Sequence, residues 1–324
     1  MDDSSGFHFS EISDNAFDTV DTTSWEKIST EPAGAEIKHV LADPKDSDKR
    51  WFFKNNTVDE RMRYGEDFAE LLSSHLAPLL GIASATVYLA VHDGVEGIIS
   101  LDVKPLGLDL IHGAVWLPSR GITDFVQGSK MRQGHSLTNI KNSLDGVLPP
   151  PGGEYSSGMT AFDAFAGICI FDAWIANQDR HEDNWAILHP SIKRNDLQER
   201  LSPIYDNASS LGFNLSEERL LSMTEDTNGQ EIEAWAARAK AKRLERVGPG
   251  NRRLGLSEAA GMAFSMCTAA GKEHWSNRLQ ELDLDQIRGI PHQIPKMSLP
   301  RRKFIDKLLT VNLERIRDVC IDPS

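Results

Sequence analysis

Residues 174–188 read "WIANQDRHEDNWAIL". Eight consecutive polar or charged residues, Asn177 to Asn184, lie between two apolar clusters. Upstream, residues 159–176 ("MTAFDAFAGICIFDAWIA") read as a strongly apolar helix, and downstream "NWAIL" reads as a short buried strand. A loop anchored on both sides by core keeps its side chains in fixed positions, which is what reactive groups need. The charge therefore calls for a partner that completes it.

Asp179 and Asn184 stand in a D-x-x-x-x-N spacing. Phosphoryl transfer asks for one carboxylate near the attacking hydroxyl and one side-chain amide oxygen on a metal, and this spacing supplies both. A second metal-binding carboxylate should follow. Asp206 in "SPIYDNASSLG" (202–212) qualifies, because it comes after the apolar Ile204 and Tyr205 at an expected strand end. Mg²⁺ takes few carboxylates plus phosphate oxygens, so Asn184 and Asp206 suit it. Lys54 closes the aromatic strand "RWFFK" (50–54), where a phosphate-holding lysine is expected. Glu66 and Glu70 in the next helix fall opposite its leucine stripe. Glu70 shares its face with the small Ser73, Ser74 and Ala77 and is preferred as the partner of Lys54. Gly34 sits in a turn before the first expected strand, where backbone amides can cover phosphates. Taken singly these residues have bland readings as caps, turns, an exposed strand lysine and a solvated helix glutamate. Their combination outweighs those readings.

The 324 residues suit two domains or one two-lobed domain at roughly 150 residues per domain. Residues 36–54 pattern as a hairpin, and 59–81 as a helix stopped by Gly81. Two strands, "ATVYLAVHD" and "GVEGIISLDV", flank a turn at Asp93-Gly94. From about 229 onward the pattern is nearly all helix, over 231–247, 256–271, 273–282 and 301–319. The expected organisation is an α+β chain. It has a flexible acidic tail (1–16), a small strand-rich N-lobe (17–104) and a larger, mostly helical C-lobe (105–324), and ligands favour the cleft between such lobes.

The net charge of −13 argues against direct nucleic-acid binding and against an anionic-membrane surface, since a negative field repels phosphate. The basic run Arg238 to Arg246 reads as the solvated face of a helix. The three cysteines are far apart with no Cys-x-x-Cys pair, so buried free thiols are expected and a structural zinc is not. The start "MDDSSGFHFS" is too acidic and polar for a signal peptide, and no apolar run of about 18 residues predicts a membrane span. A cytoplasmic location is the expectation.

These motifs resemble the HipA-like serine/threonine kinases, the toxin kinases of bacterial toxin–antitoxin systems and their relatives. The resemblance runs through "PAGAEIKHVLADPKDSDKRWFFK", "GEDFAELLSSHLAPLLGI", "GIISLDVKP", "IANQDRHEDNWAIL" and "SPIYDNASSLG". It implies a bilobal protein-kinase-like fold that uses ATP and Mg²⁺. It implies Asp179 as catalytic base, Asn184 and Asp206 as metal ligands, and Lys54 with its partner Glu70 at the phosphates. Leu101 to Val103 would be the hinge that reads adenine. The motif Asp206-Asn207-Ala208 replaces Asp-Phe-Gly, and no full G-x-G-x-x-G precedes Lys54; HipA-like kinases share both traits.

His181 has no second histidine at metal-binding spacing, so a metal phosphohydrolase is disfavoured. It is read as shaping the loop and meeting phosphate, and stands with Asp179 among the catalytic candidates. The resemblance implies a protein Ser/Thr acceptor and allows a separate antitoxin chain and autophosphorylation, with Ser29 and Thr30 the nearest hydroxyls. "DRHEDN" also looks like the D-R-H-x-x-N loop of phosphatidylinositol kinases, so a lipid or small-molecule kinase is the alternative. A nucleotide-binding pseudokinase acting as an interaction module is the second. Before metal binds, Asp179 and Asp206 are expected to repel each other.

Overall fold

Period-two patterning in the first third builds one six-stranded sheet. Its strands are β1 (Thr19–Asp21), β2 (Lys27–Ala33), β3 (Glu36–Ala42), β4 (Arg50–Asn55), β5 (Val87–His92) and β6 (Val95–Leu101), in the order β1-β5-β6-β4-β3-β2. Only the β1–β5 pair is parallel. The computed structural model describes residues 15–33, 36–46, 48–56, 65–191, 197–226, 228–248 and 250–321. Gly34, most of the expected tail and residues 59–64 of the expected first helix lie outside the described residues.

Alternation gives the sheet two faces. Trp51 and Phe53 of β4 join Leu41, Tyr88, Ala90 and Ile99 on one face, and Trp25 covers them. The Trp51 indole Nε1 donates to Asp43 Oδ2 at 3.0 Å, so its polar tip is satisfied inside this small aromatic core. On the other face Val87, Leu89 and Ile98 pack with Phe68, Leu71 and Leu72 of α1 (Glu66–Leu76). Lys54 and its cross-strand partner Lys38 share this second face. Asp93 and Gly94 both have positive φ (51° and 78°), the geometry of a two-residue hairpin turn. After α1 a short 3₁₀ turn ends at Gly81, φ 72°, as the sequence predicts.

The remainder is mostly helical. Its elements are α2 (Gly113–Ser119), α3 (Leu137–Ser143), α4 (Ala161–Trp174), α5 (Glu217–Glu225), α6 (Gln230–Arg238), α7 (Leu256–Ser265), α8 (Ala269–Glu281), α9 (Leu284–Gln293) and α10 (Leu299–Cys320). Strands β7 (Leu108–His112), β8 (Ala186–Pro190) and β9 (Arg200–Leu201) form a small antiparallel sheet in that order. Every residue of α4 is buried, as expected for a helix apolar all round. It packs against α7 and α10. The Trp174 indole donates to Leu309 O at 3.1 Å, and Asn312 Nδ2 donates to Trp174 O at 2.9 Å. The C-terminal end of α4 is thereby fixed where the polar loop begins.

Two expectations need correction. The helix predicted over 231–247 stops at Arg238, and Ala239 is extended. From there the chain forms bridges Lys240–Gly255 and Val247–Arg252, so the basic run is not a helix face. The helix predicted over 256–271 breaks before Thr268, whose hydroxyl accepts from Gly271 N–H and caps α8. The three cysteines are buried and free. Among the described residues no helix is long and apolar enough to cross a membrane.

One buried carboxylate caps two helices. Asp163 Oδ2 accepts from Thr160 N at 2.7 Å and from Thr268 Oγ1 at 2.8 Å, and Asp163 Oδ1 accepts from Thr268 N at 2.8 Å. Burial acts to raise this carboxyl, but the donors of Thr160 and Thr268 outweigh it and hold it below its ordinary value. Asp163→Ala should cost about 3 kcal/mol in urea unfolding at neutral pH, because buried donors lose their acceptor. A depressed carboxyl stabilises the fold above its unfolded value of about 3.9 and loses that contribution as pH falls through its lower folded value. The gap between wild type and Asp163→Ala should therefore close progressively below about pH 4. A gap unchanged down to pH 2 would show that the carboxylate is not the stabilising form.

Candidate active site

The loop after α4 opens with Ala176 at φ 56°, a left-handed turn that is strained for alanine. Asn177 then folds back on the helix end. Its N–H donates to Asp172 O at 2.8 Å, and its Nδ2 donates to Asp172 Oδ1 at 2.9 Å. Arg180 goes the same way and is buried. Its Nε donates to Asp172 Oδ2 at 3.0 Å and its Nη2 to Asp172 Oδ1 at 2.8 Å, a two-pronged pair. The same guanidinium donates to Asn184 O (2.8 Å), Tyr205 O (3.1 Å) and Asn207 Oδ1 (2.6 Å). It thus ties the loop to the segment that carries Asp206. Burial alone would lower the Arg180 pKa, but Asp172 more than reverses this, so the guanidinium is held charged.

Asp179, His181 and Asn184 lie on this loop in defined poses. Asn177 Oδ1 accepts from Asp179 N at 3.0 Å. Asn184 Nδ2 donates to Asp179 O at 2.9 Å, which leaves the amide oxygen Oδ1 as the side chain's acceptor face. His181 Nδ1 accepts from Asp183 N at 3.1 Å, so in the neutral ring the proton sits on Nε2, 4.0 Å from Asp179 Oδ2. The Tyr205 hydroxyl donates to Asp183 O at 3.0 Å, a second tie between loop and Asp206 segment. Behind the loop the Trp185 indole is fully buried.

Lys54 Nζ reaches Asp206 Oδ1 at 2.9 Å across the lobes, and Lys38 Nζ lies 3.8 Å from Asp206 Oδ2. Burial acts to raise the Asp206 carboxyl; Lys54 first and Lys38 second outweigh it and hold it far below the usual carboxylate range. Asp206 has φ 57°, the left-handed region that Asp tolerates better than most residues. Glu70 holds this turn from α1. Its Oε1 accepts from Asp206 N at 3.0 Å and its Oε2 accepts from Asn207 N. Burial pushes the Glu70 carboxyl up, with the positive charge of Lys54 opposing. The link from Glu70 to Lys54 therefore runs through charge and through Asp206. Each of these two acids, Asp179 and Asp206, has its own cation: Arg243 Nε donates to Asp179 Oδ1, and two lysines hold Asp206.

Lys38, Lys54, Asp206 and Ser209 line one cavity of about 180 Å³. Leu101 and Val103 line another, of about 380 Å³, with Arg50, Thr86, Leu108 and Pro203. Among the described residues no cluster of three or more His, Cys, Asp or Glu is arranged to hold a metal. The Asp206 carboxylate, which lines the first cavity, and the Asn184 amide oxygen are hard oxygens of the kind that Mg²⁺ takes together with phosphate oxygens. Residues that the sequence did not single out are Asp172, Arg180, Asn207, Lys38 and Arg243. Asp172 did leave a signal, as an acid near the end of a helix that is apolar but for it and the capping Asp163.

No protein-family model matches the chain, and no curated protein matches it. Its structure aligns with the crystal structure of the proinflammatory kinase CtkA of Helicobacter pylori at a TM-score of 0.68. The identity is 15%, over 95% of this chain and 100% of that one. The chain has a protein-kinase-like fold. HipA of Shewanella oneidensis MR-1, solved with HipB and its operator DNA, aligns at a TM-score of 0.49 and 12% identity, over 90% of this chain and 62% of that one. The kinase-like, two-lobed architecture is the one that the HipA-like resemblance implies. Within this kinase-like fold the segment from Leu101 to Leu108 is the crossing from the six-stranded sheet to β7.

Removing one half of the buried Asp172–Arg180 pair should be severe. Arg180→Met leaves Asp172 charged and buried and should destabilise the fold by about 3–5 kcal/mol in urea unfolding. Asp172→Leu with Arg180→Met should recover much of that, because no isolated charge remains. Equal losses in the single and double variants would show that the pair is not the source of the effect.

Proposed function

We propose that the chain is an ATP-dependent phosphotransferase, a HipA-like protein serine/threonine kinase. The observation that carries this reading is the Lys54–Asp206 contact at 2.9 Å between the sheet and the C-lobe, beside a loop that places Asp179 and Asn184 through Arg180. Lysine over carboxylate across a cleft is what a nucleotide triphosphate with its metal requires.

In this reading Lys54 and Lys38 receive the phosphates when they are released from Asp206. Asn184 and Asp206 would hold Mg²⁺, which would supply neutralisation of the phosphate charge. The acceptor hydroxyl oxygen forms a bond to the γ-phosphorus while the bond from that phosphorus to the β,γ-bridging oxygen breaks. The hydroxyl proton passes to Asp179, and ADP leaves. His181 keeps the loop in shape through the Asp183 N–H and directs its Nε2 toward the Asp179 carboxylate. Glu70 holds the Asp206 turn. Backbone groups from Leu101 to Val103 receive adenine. Acceleration comes from positioning and electrostatics.

The test is mass spectrometry and ³²P incorporation after incubation of the full chain with Mg-ATP, in the presence of casein or of phosphatidylinositol vesicles. Transfer to Ser or Thr of casein or of the chain itself, Ser29 and Thr30 included, is expected. Transfer to lipid alone would replace the protein acceptor by a lipid one. Asp179→Asn should lower the rate by about 10²–10⁴-fold with nucleotide binding retained. A wild-type rate in that variant, or calorimetry that finds no Mg²⁺-dependent ATP binding by the chain, would end the proposal.

A further inference from the structure

Among the described residues Arg243 is the one arginine or lysine that pairs with the Asp179 side chain, and it comes from far along the chain. Its Nε donates to Asp179 Oδ1, and both side chains are partly open, 33% and 27% exposed. It lies on the irregular stretch after α6, where no helix dictates its place. That place is set by the catalytic loop and by the loop at 131–135. Lys240 N donates to Gln178 Oε1 at 3.3 Å, beside Asp179. Glu245 N donates to His135 O at 2.9 Å, and Arg246 N to Met131 O at 3.2 Å.

His135 makes the link specific. It is 1% exposed and stands between the catalytic loop and Arg243. The Trp185 indole, which can only donate, gives its Nε1–H to His135 Nε2 at 3.1 Å. His135 Nε2 is therefore the acceptor, and the ring proton is on Nδ1. From there it is donated to Arg243 O at 2.7 Å. Burial lowers the His135 pKa, which agrees with this neutral ring. Trp185 directly follows Asn184. The backbone of Arg243 is thus measured off the same loop whose carboxylate its side chain grips.

With Oδ1 held by Arg243, Asp179 Oδ2 is the oxygen left to meet an acceptor, on the side of His181 Nε2. We propose that Arg243 is a positioning residue for phosphoryl transfer, fixing the Asp179 carboxylate through Oδ1 so that Oδ2 faces the acceptor hydroxyl. This rests on the kinase reading above. It assigns to the basic stretch after α6 a role in aiming the base, set through the Trp185–His135 relay.

The experiment compares wild type, Arg243→Ala and Arg243→Lys as full chains, with Mg-[γ-³²P]ATP and casein, measuring kcat, KM for ATP and ATP binding. Arg243→Ala should lower kcat about 100-fold, the scale of a misplaced reacting group, while KM and ATP affinity stay within about twofold. Arg243→Lys should fall between, since a compact ammonium keeps the charge without the guanidinium fork. Added methylguanidine should restore part of the rate to Arg243→Ala but none to Asp179→Asn, a rescue that a misfolded protein cannot show. An Arg243→Ala kcat equal to or above wild type would make Arg243 a bystander or a latch and overturn the inference while the kinase reading stands. So would a loss that methylguanidine does not relieve. If the wild-type chain labels neither itself nor casein and does not hydrolyse ATP, the kinase reading falls and this inference falls with it.

Discussion

A guanidinium can be taken out of water only if each of its N–H groups finds an acceptor, and Arg180 finds five. Two are on Asp172 at the end of the buried helix α4, one is the carbonyl of Asn184, and two belong to Tyr205 and Asn207 on either side of Asp206. The geometry of the fork fixes these groups relative to one another. Asp179 and Asn184 therefore cannot drift from Asp206 without exposing a buried donor. This explains why so much charge sits between two apolar clusters. Part of the polar loop is structural, and it holds the rest of the loop in place.

The second consequence is electrostatic. The chain carries a net charge of −13, yet its cleft gathers Lys38, Lys54, Arg180 and Arg243 around three carboxylates. Each acid has its own base: Asp172 has Arg180, Asp179 has Arg243, and Asp206 has the two lysines. At these distances, partly shielded from water, a local pair outweighs a distant net charge that salt screens beyond about 10 Å. Anionic phosphates can thus be welcome in the cleft of an acidic protein. They would compete with Asp206 for lysine.

How much of this was legible in the sequence follows from the range of each interaction. The strands at 36–42 and 50–55, the turn at Asp93-Gly94, helix α1 with its Gly81 stop and the apolar α4 depend on neighbours in sequence, so periodicity finds them. β2 leaves no such pattern, because "KISTEPA" carries Pro32 and does not alternate; it forms at the sheet edge, where proline is tolerated. Asp179, Asn184, Asp206 and Lys54 could be chosen because their types and spacing match what phosphoryl transfer needs. Their partners could not. Lys54 meets Asp206 from 152 positions away and Arg243 meets Asp179 from 64, and no local pattern records such contacts. The stretch "RAKAKRLER" shows the failure plainly. Its charge spacing fits a solvated helix, but the bridge Lys240–Gly255 and the bonds to the 131–135 loop hold it out of one. Tertiary pairing overrides a weak local propensity.

The turn at Asp206 brings these threads together. Its backbone is left-handed, a state that a non-glycine residue keeps only when its surroundings hold it there. Those surroundings come from both lobes. From the C-lobe, Arg180 takes the Tyr205 carbonyl and the Asn207 side chain. From α1, Glu70 takes the main-chain N–H groups of Asp206 and Asn207, and Ser73 Oγ lies 3.3 Å from Ser210 Oγ. Beside them Ile204 bonds main chain to main chain across the junction, its N donating to Ala83 O and its O accepting from Ala85 N. A displacement of α1 would remove two acceptors from the strained turn at once. The direction of the Asp206 carboxylate is therefore a joint property of the lobes: Arg180 of the C-lobe and Glu70 of α1 fix its backbone, while Lys54 on the sheet fixes its charge.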